Sequence, residues 1–287
     1  MLATILDGRK IRDKAVTELR QAFATLDVAP VLAIVQVGDR EDTNAYVKAK
    51  RNFAEKIGVS TIHIKLPFDV SQSSLIEEVK KLNNDQTVKG IIVQLPLPEG
   101  INRNAVIDTI LPSKDVDAIT PPNVKRWADG IQDALLPATA QGVKTLLKEC
   151  SIDLQGKKVA VIGRSTLVGK PIASMCLSQN ATVTICHSKT VDLKEVTLNS
   201  DIIIVAVGKI NLITKDHVRA GQVVIDVGIN TYEGKKLDDE IVEKKIVGDV
   251  DFLEVSKIVS AITPVPGGVG PLTVLSVFQN LLALCKS

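Results

Sequence analysis

Four stretches hold residues whose types and spacing could do chemistry, and two of them hold a polar residue in apolar surroundings. In "EDTNAYVKAKRNFAEKIGV" (41–59), Tyr46, Lys50, Phe53 and Ile57 recur at helical spacing, which puts a lysine inside an apolar stripe. The plain explanation is a packed stem with its ammonium in water; the alternative is a functional amine. Gln94 is a polar residue ending the apolar run "GIIVQLPLP" (90–98), where ligands of α/β sheets collect. Asp115 and Asp117 alternate in "SKDVDAIT", a pattern usual for a solvated turn. The segment "ITPVPGGVGPLTV" (262–274) packs prolines and glycines ahead of an apolar C-terminal stretch. It is either a plain turn or a rigid backbone close to a ligand.

A further stretch, "AVIGRSTLVGKPIA" (160–173), resembles the phosphate-binding turn of a dinucleotide fold while breaking its glycine spacing. Gly163 closes a strand. Ser165 stands where a second glycine belongs, and Gly169-Lys170-Pro171 opens a helix, with proline harmless in a first turn. Such a turn aims backbone N–H groups and a helix N-terminus at a phosphate. The acid expected about twenty residues on for a ribose 2′-hydroxyl is missing, because the next strand ends in His187, Ser188, Lys189 and Thr190. Arg164 with a basic, hydroxyl-bearing strand end suits a 2′-phosphate. NADP is therefore favoured over NAD.

These residues need elements to hold them. Apolar β-branched runs at 31–38, 61–66, 90–98, 158–163, 181–188, 201–208 and 222–230 alternate with helical segments, and "KIVGDV" (245–250) is a further candidate. That pattern argues for α/β architecture with parallel sheets covered on both faces. About sixty residues without a clear strand (99–157) separate two groups of strands, so two lobes with a cleft between them are expected. The 287 residues, 45% hydrophobic and 24% charged, suffice for two such cores.

A net charge of +2 and 3% aromatic content argue against a nucleic-acid surface. Four cysteines without a C-x-x-C pair and three dispersed histidines give no metal site and no disulfide framework. The N-terminus has only a short apolar run with no basic stretch before it, and no uninterrupted apolar run is of membrane length. No membrane partner is expected, and a cytoplasmic location is.

In order along the chain, "YVKAK", "GIIVQLPLP", "KDVD", "GRSTLVGKP", "HSKT", "DVGIN", "GDV" and "PVPGGVGPLTV" resemble the bifunctional methylenetetrahydrofolate dehydrogenase/cyclohydrolase family, over essentially the whole chain. The resemblance implies an N-terminal α/β catalytic domain (1–138, completed by 271–287) and a Rossmann-type NADP-binding domain (139–270). It also implies a last helix returning to the first lobe, and a homodimer formed through the Rossmann domains. It places the catalytic lysine on Lys50, with Tyr46, Gln94 and the pterin-binding Asp117 beside it. Tetrahydrofolate derivatives would also meet Leu95, Pro266, Gly267 and Gly268. NADP would meet Gly163, Arg164, Ser165, Leu167, Gly169, Ser188, Gly208, Val227, Gly228, Ile229 and Thr273. The implied chemistry is oxidation of 5,10-methylenetetrahydrofolate, then hydrolysis of the methenyl product to 10-formyltetrahydrofolate.

Departures from the family pattern are Ala118 for Gly, Ala138 for Cys and Ala140 for Pro in "LPATAQG", and Thr43 for Ser; Thr139 is expected to cap the following helix. Two rival readings are weighed. Another two-lobed NADP-dependent dehydrogenase has no need of Tyr46, Lys50 and Gln94 together, and a non-catalytic paralogue would be expected to have lost Lys50.

Overall fold

A computed structural model describes residues 2–238 and 241–286, with the side chains of Asp42 and of residues 232–245 outside that description. In chain order the elements begin β1 (Thr4–Ile5), α1 (Gly8–Ala24), β2 (Val31–Val37), α2 (Glu41–Ile57), β3 (Ser60–Leu66), α3 (Gln72–Asn84), β4 (Val88–Val93) and α4 (Arg103–Ile107). They continue with α5 (Pro121–Ala128), α6 (Ala138–Glu149), β5 (Lys158–Ile162), α7 (Gly169–Ser178), β6 (Thr182–Cys186), α8 (Leu193–Leu198), β7 (Ile202–Val205) and β8 (Val223–Asp226). The last are β9 (Asn230–Asp238), β10 (Ile241–Val247), α9 (Phe252–Val255), β11 (Ala261–Ile262) and α10 (Val269–Lys286). The chain forms two compact units, Asp13–Ala138 with Val274–Ser287, and Met1–Arg12 with Thr139–Thr273.

The first of these contains a parallel sheet in the order β3-β2-β4. On one face, Ala33, Val35 and Val37 of β2 and Ile91 and Val93 of β4 pack against Leu75, Val79 and Leu82 of α3. Over Gly90, Leu281 of α10 and Val116 come so close that an added Cβ would lie 2.8 Å and 2.6 Å from them. Both faces of the sheet are thus covered, which explains its uninterrupted apolar runs. Among the described residues, α10 is the one helix long and apolar enough to cross a membrane, with a mean hydropathy of 1.4. Half of it is buried, and Asn280 donates to the carbonyls of Val116 (2.8 Å) and Leu136 (2.9 Å), as suits a core helix.

In the other unit, six parallel strands run in the order β1-β11-β8-β7-β5-β6. Residues 1–12, expected with the catalytic domain, group here because β1 pairs with β11 through Thr4↔Ala261 and Ile5↔Ile262. Nor does 245–250 form a further parallel strand. Ile241–Val247 pairs antiparallel with β9, and Gly248 then packs so tightly that a Cβ would lie 1.9 Å from Asp226 Oδ2. Two helix starts also differ from expectation. α2 begins at Glu41 with Arg40 as its N-cap, ahead of the expected caps Asp42 and Thr43. α6 begins at Ala138, so Thr139 is inside its first turn. The α2 stop is as expected, with Gly58 left-handed at φ 78° and its N–H on the carbonyls of Ala54 and Glu55.

Candidate active site and cofactor cradle

Lys50 is 8% exposed, and its Nζ donates to Gln94 Oε1 at 2.8 Å. This excludes an ammonium extended into water. The α2 stripe explains the burial, since Phe53 (4%) and Ile57 (0%) share Lys50's face and Phe53 packs on Phe278 of α10 with ring centroids 5.3 Å apart. Tyr46, one turn earlier, keeps 38% of its surface. Gln94 leaves the carboxyl end of β4 with its N–H on Val35 O (2.8 Å), and its Nε2 donates to Leu95 O (3.1 Å). Both the oxygen and the nitrogen of the side-chain amide are therefore engaged, which fixes the oxygen on Lys50.

The alternating acids divide their tasks. An isolated bridge from Ile91 to Asp115 lays this segment alongside β4. Asp115 is fully buried, and its Oδ2 accepts from Thr120 N (2.8 Å), Thr120 Oγ1 (2.7 Å) and Asn123 Nδ2 (2.9 Å), fastening the loop to the start of α5. Asp117 is partly buried and acts electrostatically on Lys50. Burial drives the Lys50 pKa below the ordinary lysine value, with the Asp117 charge opposing. Burial also drives the Asp117 pKa upward, opposed by Lys50 and reinforced by Asp115. Both shifts favour the neutral forms. The solvated turn suggested by the sequence is not found.

In the six-stranded unit the expected cofactor residues leave the carboxyl ends of four neighbouring strands. β5 and β6 pair in register through Ile162↔Cys186, and Gly163 N donates to Cys186 O (2.9 Å), so Arg164 and Ser188 emerge from adjacent strand ends. Both are exposed. At Gly163 (φ 129°) a Cβ would lie 2.3 Å from Ala206 O, and at Gly169 one would lie 2.2 Å from Gly163 O. Only glycine lets this turn close so tightly. Ser165 Oγ accepts from Val168 N (3.2 Å) and Gly169 N (3.3 Å) at the start of α7, leaving its O–H proton for a ligand. Leu167 is half-buried in the same turn.

Gly208 follows β7, and Val227, Gly228 and Ile229 follow β8. A Cβ on Gly270 would be 3.9 Å from Ile229 Cδ1, which brings the start of α10, one turn before Thr273, beside this strand end. Glycine turns too tight for a Cβ, together with an exposed guanidinium and hydroxyl, fit a phosphorylated dinucleotide.

Pro266, Gly267 and Gly268 belong to this same unit. Gly267 (φ 117°) and Gly268 are buried, Pro266 is exposed, and Gly8 N donates to Gly267 O at 2.9 Å. A Cβ on Gly8 would lie 1.9 Å from Gly268 O, so the chain start braces the segment. Among the described residues no cluster of His, Cys, Asp and Glu is placed to hold a metal ion. All four cysteines are free, and burial pushes the Cys176 pKa up to about 12, so that thiol stays protonated.

A family model described as the tetrahydrofolate dehydrogenase/cyclohydrolase catalytic domain matches residues 6–117, and the NAD(P)-binding domain of the same family matches 137–287. The chain belongs to the tetrahydrofolate dehydrogenase/cyclohydrolase family. It is 43% identical to the bifunctional protein FolD of Halalkalibacterium halodurans over 100% of both chains. Among solved structures, it is similar to the bifunctional FolD methylenetetrahydrofolate dehydrogenase/cyclohydrolase of Campylobacter jejuni, with a TM-score of 0.92, 42% identity and 99% of each chain covered. The Trypanosoma brucei FolD, solved with NADP cofactor and an inhibitor, gives a TM-score of 0.94 at 35% identity, covering 100% of this chain and 98% of that one.

Asp226 (3% exposed) and Asp249 (0%) are buried acids at the strand ends that carry Gly208 and Val227–Ile229. The sequence signal for them exists, since Asp226 ends the apolar run "VVID" just as Gln94 ends its own strand.

Proposed function

We propose that this chain oxidises 5,10-methylenetetrahydrofolate with NADP⁺ and hydrolyses the resulting methenyl cation to 10-formyltetrahydrofolate. The observation that carries the reading is the buried Lys50 amine bonded to Gln94 at 2.8 Å beside Asp117. Hydride loss requires no protein nucleophile, because the folate nitrogens stabilise the cation as it forms. When bound, NADP⁺ supplies the hydride acceptor. Arg164 and the Ser188 hydroxyl would hold its 2′-phosphate, and the Ser165 hydroxyl, whose oxygen takes the Val168 and Gly169 N–H groups, would donate its proton to the pyrophosphate.

Hydrolysis is where Lys50 acts. Its lowered pKa increases the fraction of neutral amine, and a cationic substrate nearby lowers it further. The amine takes a proton from water as the water oxygen bonds to the methenyl carbon. Collapse of the tetrahedral adduct then breaks the bond from that carbon to N5, which gains a proton, and leaves the formyl group on N10. One proton is released overall. Gln94 orients Lys50, and Tyr46 stacks on the substrate or bonds the amine. Asp117 grips the pterin's amino and ring N–H edge as a carboxylate grips a guanidinium. Leu95, which follows Gln94, contributes apolar surface to the folate.

A homodimer through the Rossmann unit is supported by β6, which ends the six-stranded sheet and exposes Thr182, Thr184 and 43% of Ile185. A reducing, cytoplasmic setting suits four free cysteines. The deciding assay mixes protein, NADP⁺ and methylenetetrahydrofolate and follows ultraviolet absorbance. NADPH and methenyl species should form, and the methenyl species should then decay. Absence of NADPH would overturn the oxidation, and a persistent methenyl signal would overturn the hydrolysis.

A further inference from the structure

Asp249 has no solvent exposure and collects four donors from two loops. Its Oδ2 accepts from Val207 N (2.7 Å) and Gly208 N (3.0 Å), and its Oδ1 from Lys209 N (2.8 Å) and Asn230 Nδ2 (2.9 Å). Asp226 holds Asp249 from behind. Its Oδ1 accepts from Asp249 N (3.1 Å) and Gly228 N (2.9 Å), and its Oδ2 from Val250 N (2.9 Å). Glycine is required on both sides of the pair. A Cβ at Gly228 would lie 2.2 Å from Asp249 Cγ, and one at Gly248 would lie 1.9 Å from Asp226 Oδ2.

Two buried carboxylates packed this closely are costly to desolvate, and a fold seeking stability alone would more cheaply use neutral acceptors. Burial indeed raises the Asp226 pKa to about 6. What the pair achieves is geometric. Three successive N–H groups after β7 are turned inward onto one carboxylate, so in each of these trans peptides the paired carbonyl, of Ala206, Val207 and Gly208, points the opposite way. The same carboxylate ties Asn230 to that turn, and Asp226 ties Gly228. The strand ends that follow β7 and β8 are thereby locked to each other.

We infer that Asp249, backed by Asp226, is a positioning residue that shapes the 207–209 and 227–230 loops for the cofactor. The inference rests on the reading that Gly208 and Val227–Ile229 meet NADP. Asp249 does not touch the cofactor; it acts through the loops it holds. Substitution by asparagine presents an NH₂ group to backbone donors, so at least one loop must release.

The test titrates the intact Asp249→Asn protein with NADP⁺ by calorimetry and, separately, follows hydrolysis of methenyltetrahydrofolate with no cofactor present. Affinity for NADP⁺ should fall at least tenfold while cofactor-free hydrolysis stays within about twofold of wild type. Unchanged NADP⁺ affinity, or an equal loss of hydrolysis and binding, would overturn the inference. Asn230→Ala, which removes one donor and no charge, covers the case in which Asp249→Asn does not fold. It should weaken NADP⁺ several-fold with hydrolysis intact, and unchanged affinity in it would likewise count against the role. If wild type itself fails to bind NADP⁺, the cofactor reading fails rather than the positioning role.

Discussion

The proposed hydrolytic chemistry rests on single residues. Lys50 and Asp117 shift each other in opposite directions, and removing the Asp117 charge takes away what raises the Lys50 pKa. A base whose pKa falls is neutral over a wider range, so the rising limb of hydrolysis against pH should move to lower pH in Asp117→Asn. The same variant should bind folate more weakly in both activities. A pH–rate profile and substrate titration check both, and an unmoved limb would separate the two residues. Ala118 is a second test at this scale. It adopts φ 53°, where the family pattern has glycine, with its methyl fully buried and its carbonyl accepting from Trp127 Nε1 at 3.2 Å. Relief of a left-handed alanine, ~1 kcal/mol, nearly cancels the lost methyl burial of ~0.8 kcal/mol. Ala118→Gly should therefore shift denaturant stability by less than about 1 kcal/mol and leave folate affinity close to wild type. The sequence showed that Lys50 and Gln94 were unusual, and Asp117 stood out only through the family resemblance; it did not show their contacts. The division between Asp115 as a fastener and Asp117 as a site residue depends on Thr120 and Asn123, whose side-chain bonds have no sequence signature.

Elements decide where those residues point. Long apolar strands were legible because both sheet faces are covered, as β2 shows with six buried residues in succession. β1 and β11 were not legible, because a two-residue strand offers no periodicity to read and exists only through its partner. The β9–β10 hairpin was missed for another reason: "NTYEGKKLD" has no apolar run to read, so the sequence offers no partner strand for "IVEKKIV". The β5–α7 turn was legible in spite of Ser165, whose hydroxyl takes helix N–H groups that a glycine would leave for the ligand. Because Arg164 and Ser188 emerge from in-register neighbours, Arg164→Ala should weaken NADP⁺ at least tenfold and NAD⁺ far less. Competitive titration of both nucleotides reads this out, and equal losses would remove the 2′-phosphate contact.

At the scale of the molecule, the proposed function divides between the two units, assigning hydrolysis to residues of α2, β4 and the 115–118 loop and cofactor binding to the six-stranded sheet. The proposed homodimer would use the exposed edge of that sheet. Ile185→Lys should convert a dimer to a monomer by sedimentation, and an unchanged mass would place any interface elsewhere. The division also supplies the sharpest test of the buried amine. Methenyltetrahydrofolate hydrolysis should be measured in Lys50→Met, alongside NADP⁺ binding by the same preparation. Hydrolysis should fall by about a hundredfold or more with NADP⁺ affinity retained, whereas hydrolysis within a few-fold of wild type would contradict Lys50 as the base.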